Sequence, residues 1–429
     1  MKIAFYLDNK NIRNIDMTMP EQGNPGIGGT EYIIHAITYY LTKEKNKAFQ
    51  LILGSTSIDN LSPIIHSIKC TSISDLMYKE KPDFVIFKYE PHLYKEASIC
   101  AKEGATKLIP WAHNFIKRSE LTKLANNPLV SRIICVSKEQ LNMYRDHKAF
   151  LKSVYIYNGM PVKYLQTELP SIPPYNDRPY EVTYIGNIVP YKGFHILAEA
   201  WKDVLKAFPQ AKLNVIGSGK LYDRTSKLGR YGIAEEGYEK QFMFSLTDGE
   251  GKIIPSVHFW GVLGIEKNEI LKRTRVGVPN PSGISETFCI TALEMQAMGA
   301  LVTTINYGGL KNTVFHTGIL YNNPKELATS IITLLQKKEN QIQEFYKFME
   351  ENFSFEHITK DWIDFINHLN DPSVPFLPNN NSDCVSKLKE FNRRIKKSLP
   401  FGYTILPTID FYQSIMNRLG QIIYGKTKR

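Results

Sequence analysis

The sequence predicts an α/β chain of two Rossmann-like, doubly wound parallel-sheet domains facing a shared cleft, followed by a basic helical tail. Three observations carry this. At 429 residues the chain is too long for one ordinary hydrophobic core, so two domains are expected. Short β-branched and apolar runs alternate with longer amphipathic stretches, halt, and then alternate again. The halt is a proline-rich passage, from Pro161 through Pro170, Pro173, Pro174 and Pro179, which reads as a non-helical interdomain linker.

In the first block the strand candidates are Lys2–Leu7, Gln50–Gly54, Phe84–Phe87, Lys107–Trp111, Arg132–Val136 and Ser153–Tyr157. Helical patterns lie between several of them, notably Tyr32–Lys43 and Lys138–Tyr144. Strand, helix, strand at this spacing argues for a parallel sheet covered on both faces. The second block places strands at Glu181–Ile185, Lys212–Ile216, Ser256–Phe259, Val276–Val278, Leu301–Thr304 and Ile319–Tyr321. Its helices are expected at Gly193–Ala207, Asn268–Lys272, Thr287–Met298 and Pro324–Lys337, with a helical stretch at His357–Leu369 ending the domain. The expected division is 1–165, a linker at 166–180, a second domain at 181–370 and a tail at 371–429 that opens with a turn-rich break, Asp371–Asn381.

Composition narrows the class. Hydrophobic content of 43% with 22% charged residues is that of a globular protein, which excludes disorder and an integral membrane protein. No apolar run approaches the roughly 18 residues that a membrane-spanning helix needs. The opening MKIAFYLDNK meets Asp8 too soon for a signal peptide and reads as a first buried strand. Cys70, Cys100, Cys135, Cys289 and Cys384 are scattered without a CxxC pair, so neither a disulfide framework nor a structural zinc site is expected, and a reducing compartment fits.

The net charge of +11 points to anionic partners, and its densest block is Lys387, Lys389, Arg393, Arg394, Lys396 and Lys397, answered only by Glu390. A solvated helix face and an anionic membrane surface both account for that block. The membrane reading extends over 385–429, because Leu, Phe, Ile and Tyr are interleaved there. Nucleic acid is not expected as a partner, since no basic stripe with ordered aromatics appears in the strands.

Ligands of doubly wound sheets bind beyond the C-terminal strand ends, so chemistry belongs on strand-to-helix loops. Three such loops stand out. Gly26-Ile27-Gly28-Gly29-Thr30-Glu31 precedes a helix, and its glycines let the backbone approach an anion at the helix start, although the GxGxxG spacing is absent. Gly186-Asn187-Ile188-Val189-Pro190-Tyr191-Lys192-Gly193 places Lys192 where an ammonium would neutralise a diphosphate. In Ser285-Glu286-Thr287-Phe288-Cys289-Ile290-Thr291-Ala292-Leu293-Glu294, two carboxylates flank apolar residues, putting both on roughly one face of an otherwise buried helix. Binding a vicinal diol would explain such a carboxylate.

These segments, with VHFWGVLG, RIICVSKEQ, YNGMP, GSGKLYD, TGILY and FSFEH, occur in the order found in glycosyltransferase family 4, which the chain resembles over residues 1–370. The resemblance implies a GT-B fold and a retaining glycosyltransferase that takes a UDP- or GDP-sugar and uses no cofactor or metal. No Asp-x-Asp spacing of the metal-binding kind occurs. It implies an acceptor-side first domain and a donor-binding second domain. Gly28, Gly29 and the backbone at Phe288 and Cys289 would border the donor phosphates, with Lys192 on the diphosphate. Glu294 would hold the ribose, Glu286 would contact the donor sugar, and His113, in WAHNF, would line the sugar site.

Two positions depart from the family pattern: Asn187, where many relatives carry Arg, and Cys289, where Gly is usual. Lys220 or another basic residue would then supply the missing charge. A glycan or lipid-linked acceptor in bacterial surface polysaccharide or lipopolysaccharide synthesis is expected, at the cytoplasmic side of the plasma membrane. A non-catalytic nucleotide-sugar-binding subunit and a nucleotide-sugar epimerase on the same fold remain the alternatives.

Overall fold

The computed structural model describes residues 1–45, 48–220, 226–371, 373 and 386–416. The first domain holds β1 (Lys2–Leu7), β2 (Gln50–Ser55), β3 (Ser67–Lys69), β4 (Phe84–Lys88), β5 (Lys107–Ala112), β6 (Ile133–Cys135) and β7 (Ser153–Tyr155). They form one seven-stranded parallel sheet, ordered β3-β2-β1-β4-β5-β6-β7. The second domain holds β8 (Glu181–Ile185), β9 (Lys212–Ile216), β10 (Val257–Gly261), β11 (Val276–Gly277), β12 (Leu301–Ile305) and β13 (Ile319–Tyr321). Its six-stranded parallel sheet is ordered β10-β9-β8-β11-β12-β13. Central strands such as β1, β5 and β8 are buried almost throughout, which is why they read as continuous apolar runs without alternation.

Strand order reverses between β1 and β4 in one sheet and between β8 and β11 in the other. At such a reversal the loops diverge to opposite faces and leave a crevice beyond the strand ends. The two crevices face each other and together form the cleft.

The linker differs from its sequence reading. A helix, Val162–Glu168, fits between Pro161 and Pro170, followed by 3-10 turns at Leu169–Ser171 and Tyr175–Asp177. Proline is tolerated immediately before a helix, where its missing N–H has no intrahelical partner to lose. The linker is tied down rather than loose: Tyr346 Oη donates to Leu165 O at 2.8 Å, and buried Arg178 donates to Thr274 O and Met298 O at 2.9 and 3.0 Å.

The stretch expected to end the second domain, helix Phe355–Asn370, lies on the first. Trp362 packs 5.3 Å from Phe5 and 4.8 Å from Trp111, and Phe355 stacks on Tyr40 at 4.7 Å. The chain therefore crosses between domains at the linker and again beside Phe353, whose carbonyl accepts from Met160 N at 2.7 Å.

The tail also differs. Of the six basic residues, Lys389 donates to Met143 O and Asp410, Arg393 to Glu390, and Lys396 to Asp146 O. Lys389 and Lys396 dock the helix Lys387–Ser398 on the first domain, Arg393 pairs with Glu390, which Arg145 also holds, and these three are not a solvated charge run. Cys384 and most of the Asp371–Asn381 break lie outside the described residues; Cys70, Cys100, Cys135 and Cys289 are buried and free. No described helix is long and apolar enough to cross a membrane.

Candidate active site

The cleft encloses a cavity of about 430 Å³ lined from both domains. Its first-domain wall starts after β1. Asn24 Oδ1 accepts from the N–H groups of Gly26 and Ile27 at 3.0 and 2.9 Å, folding the glycine loop tightly. Gly26 has φ of +88°, and a β-carbon there would lie 3.2 Å from Leu263 O of the second domain. The next helix, Gly29–Lys43, has Gly28 as N-cap and no side-chain cap, which leaves its first N–H groups for a ligand.

Lys88, the last residue of β4, sits deeper in the same wall. Its Nζ is 2.8 Å from Glu90 and 3.4 Å from Glu31. Burial alone would lower the ammonium's pKa, but the two carboxylates outweigh it and hold the pKa up. His113 follows β5, buried, its ring 4.5 Å from that of Trp111. Burial, with Lys88 adding to it, pushes the imidazole down to about 3, so it is neutral near neutral pH. Its Nε2 has no protein partner, and its carbonyl accepts from Thr287 Oγ1 of the second domain at 2.6 Å.

The second-domain wall is built on β8 and β11. Gly217, at φ of +136°, packs so tightly on Gly186 O that a β-carbon would overlap it, which fixes the loop after β8. Asn187 is buried with Oδ1 unpartnered. Lys192 ends the 3-10 turn Pro190–Lys192 and reaches Glu286 Oε2 at 2.8 Å, where Asn280 Nδ2 also donates at 2.7 Å.

The helix after Glu286 begins later than its sequence suggests, at Ile290, because Cys289 takes a left-handed conformation with φ of +81°. Glu286 consequently lies in the preceding loop, its carbonyl bonded to Gly309 N at 3.0 Å, and does not share a helix face with Glu294. Glu294, in the helix, pairs with Lys267 at 3.3 Å. Helix Ile290–Ala297 also lacks a side-chain N-cap, and Ile290 Cδ1 would lie 3.4 Å from a β-carbon on Gly29, so two uncapped helix starts converge. Burial, then Glu286, pushes the Cys289 thiol up to about 12. Protonated, it is no nucleophile.

Gly28, Gly29, His113, Asn187, Lys192, Glu286, Phe288, Cys289 and Glu294 all line this one cavity. Lys220 is exposed and does not. Sequence reasoning overlooked Lys88, Lys267 and Asn280 among the lining residues and gave Glu31, in the glycine loop, no role. Lys88 was findable as a charge at the C-terminal end of a buried strand, and Lys267 as a cation just beyond VHFWGVLG. Asn280, in a Pro-flanked loop, carries no comparable signal.

Chemically, the cleft presents ammonium groups and two helix starts suited to a diphosphate, beside carboxylates able to accept sugar hydroxyls. Residues 179–337 match the model of the family described as Glycosyl transferases group 1. The matched segment is the wall carrying Asn187, Lys192, Glu286 and Glu294. No curated protein matches the chain in sequence. Among solved structures, Anabaena HepE in complex with UDP-glucose is similar at a TM-score of 0.60 and 17% identity, over 86% of this chain and 99% of that one. A glycosyltransferase from Rickettsia africae gives 0.60 at 15%, over 86% and 98%. The lipopolysaccharide outer core galactosyltransferase WaaB, in its apo form, gives 0.55 at 15%, over 86% and 100%. The fold is GT-B.

Proposed function

We propose that this chain is a retaining, metal-independent glycosyltransferase that moves a sugar from a nucleotide-sugar, a UDP-sugar by preference, to a glycan or lipid-linked acceptor in bacterial surface polysaccharide synthesis. The observation that carries the reading is the convergence of Lys192 and two uncapped helix starts on one interdomain cavity, whose second-domain wall lies in the segment matching the group 1 family model. The preference for uridine rests on the UDP-glucose complex of Anabaena HepE.

In this reading the diphosphate lies between the glycine loop and helix Ile290–Ala297, with Lys192 leaving Glu286 to meet it. Glu294, oriented by Lys267, accepts the ribose hydroxyls. Freed from Lys192 but still held by Asn280, Glu286 accepts hydroxyls of the donor sugar. His113, neutral and with an open Nε2, hydrogen-bonds the sugar without adding charge. The anomeric carbon–phosphate oxygen bond breaks through an oxocarbenium-like state. The acceptor oxygen then bonds from the same face, and its proton passes to the departing diphosphate. Preorganised positive charge around that leaving group provides the main acceleration.

A panel of UDP-, GDP- and ADP-sugars in EDTA, with membrane extract as acceptor source, tests this through nucleotide release by wild type and Glu286→Ala. Release from one donor, lost in the variant, is the expected result. Donor binding without release would instead favour a non-catalytic sugar-nucleotide-binding protein.

A further inference from the structure

The C-terminal helix Lys387–Ser398 is docked with its polarity inverted. Four of its charged residues, Lys389, Glu390, Arg393 and Lys396, are turned toward the protein, buried or half-buried. Lys396 is 2% exposed and donates to Asp146 O at 2.6 Å, while buried Glu390 accepts from Arg145 at 3.2 Å and Arg393 at 2.6 Å. Asn392 donates to Asp146 Oδ2 at 2.8 Å. The helix's apolar residues lie mostly outward: Leu388 and Phe391 are 56% and 62% exposed, Ile395 one turn further on is half-buried, and Leu399 at the helix end is exposed. A helix resting on a protein in water ordinarily buries its apolar stripe and solvates its ions.

The outward apolar surface continues past the helix. Phe401 is 80% exposed and Ile405 69%, and Phe411, Tyr412 and Met416 follow. Phe401 holds a left-handed backbone with φ of +59°, a conformation unfavourable for an aromatic residue. Strain spent on displaying an aromatic ring to solvent needs a functional reason.

We propose that residues 387–416 dock the protein on an anionic lipid surface, with this apolar face entering the headgroup region. The charge around the face selects the occupant. Lys387 and Lys397 stand exposed on the same helix, as does Arg394, which bonds inward-pointing Glu390 at 3.1 Å, while Asp410 is paired with Lys389 at 2.8 Å. A second copy of the chain would bring these cations against each other. Anionic headgroups above acyl chains match both the cations and the apolar residues. None of these residues lines the cleft, so the inference stands apart from the donor chemistry.

The test is co-sedimentation of the full chain with phosphatidylcholine vesicles, with and without phosphatidylglycerol. Wild type binds only the anionic vesicles. Phe391→Ser with Phe401→Gly lowers the partition coefficient roughly tenfold or more, and Lys387→Glu with Lys397→Glu lowers it further as salt rises. Phe401→Gly alone also weakens binding while leaving the melting temperature unchanged or higher, because glycine suits the left-handed backbone; a merely structural Phe401 would do neither. Full binding by the aromatic variants, equal binding to neutral vesicles, or no binding by wild type would overturn the proposal. So would a wild-type dimer that the aromatic variants dissociate, which would make the face a self-interface.

Discussion

Replacing Lys192 with Met should separate stability from catalysis in a way the Lys192–Glu286–Asn280 cluster prescribes. The ammonium lies 2.8 Å from Glu286, and the two side chains are 15% and 12% exposed. Removing it strands a mostly buried carboxylate that retains the Asn280 bond, at a cost of about 1–3 kcal/mol. The same change removes charge from the proposed leaving group, which raises the barrier by about 2.7–4 kcal/mol, on the order of 10²–10³ in kcat. Glu286→Gln keeps the shape and frees Lys192. In the double variant neither charge is stranded, so its stability should return to within about 1 kcal/mol of wild type while activity stays low. Urea unfolding and nucleotide release at saturating donor measure both quantities. A Lys192→Met enzyme within roughly threefold of wild-type kcat, or a double variant whose losses simply add, would refute the reasoning.

Three further outcomes follow from the geometry. Burial lowers the imidazoles of His35, His113 and His147 to about 4, about 3 and about 4, so the unfolded chain binds more protons than the folded one below its ordinary histidine pKa. Stability is therefore complete above about pH 6.5 and falls as pH drops toward the folded values, by about 2 kcal/mol per histidine at about pH 5; equal urea midpoints at about pH 7.5 and about pH 5 would contradict it. Cys289→Gly should stay within about 1 kcal/mol of wild type, because relief of the left-handed strain offsets lost packing and chain entropy, whereas Cys289→Ala should lose about 1 kcal/mol more; thermal melts of the pair decide. Glu294→Gln should raise donor KM about tenfold with kcat little changed, since it removes binding common to ground and transition states; an equal loss in both constants would reassign Glu294 to the reacting centre.

Much of the frame was legible because buried parallel strands leave little choice of residue. β1, β8, β9 and β13 fall where their apolar runs place them, whereas β3, a half-exposed three-residue edge strand, has no such run. The loops that line the cleft were legible through glycines and strand ends, which is where doubly wound sheets concentrate ligand contacts. The pairing of Lys192 with Glu286 was not. The two stand 94 residues apart and meet only because β8 and β11 are neighbours at the switch point. The late start of helix Ile290–Ala297 was also hidden, since a left-handed cysteine has no local signature. In the tail the basic run was plain, but its facing depends on Arg145 and Asp146, some 245 residues earlier in the chain.

The measurement that tests the central claim most directly is one proton NMR time course of wild type with its donor and acceptor in EDTA. It follows nucleotide release and the anomeric proton of the product together. The account predicts nucleotide released in step with a new glycoside of the donor's own anomeric configuration. An inverted product, an epimerised donor, or no transfer without added metal would contradict it.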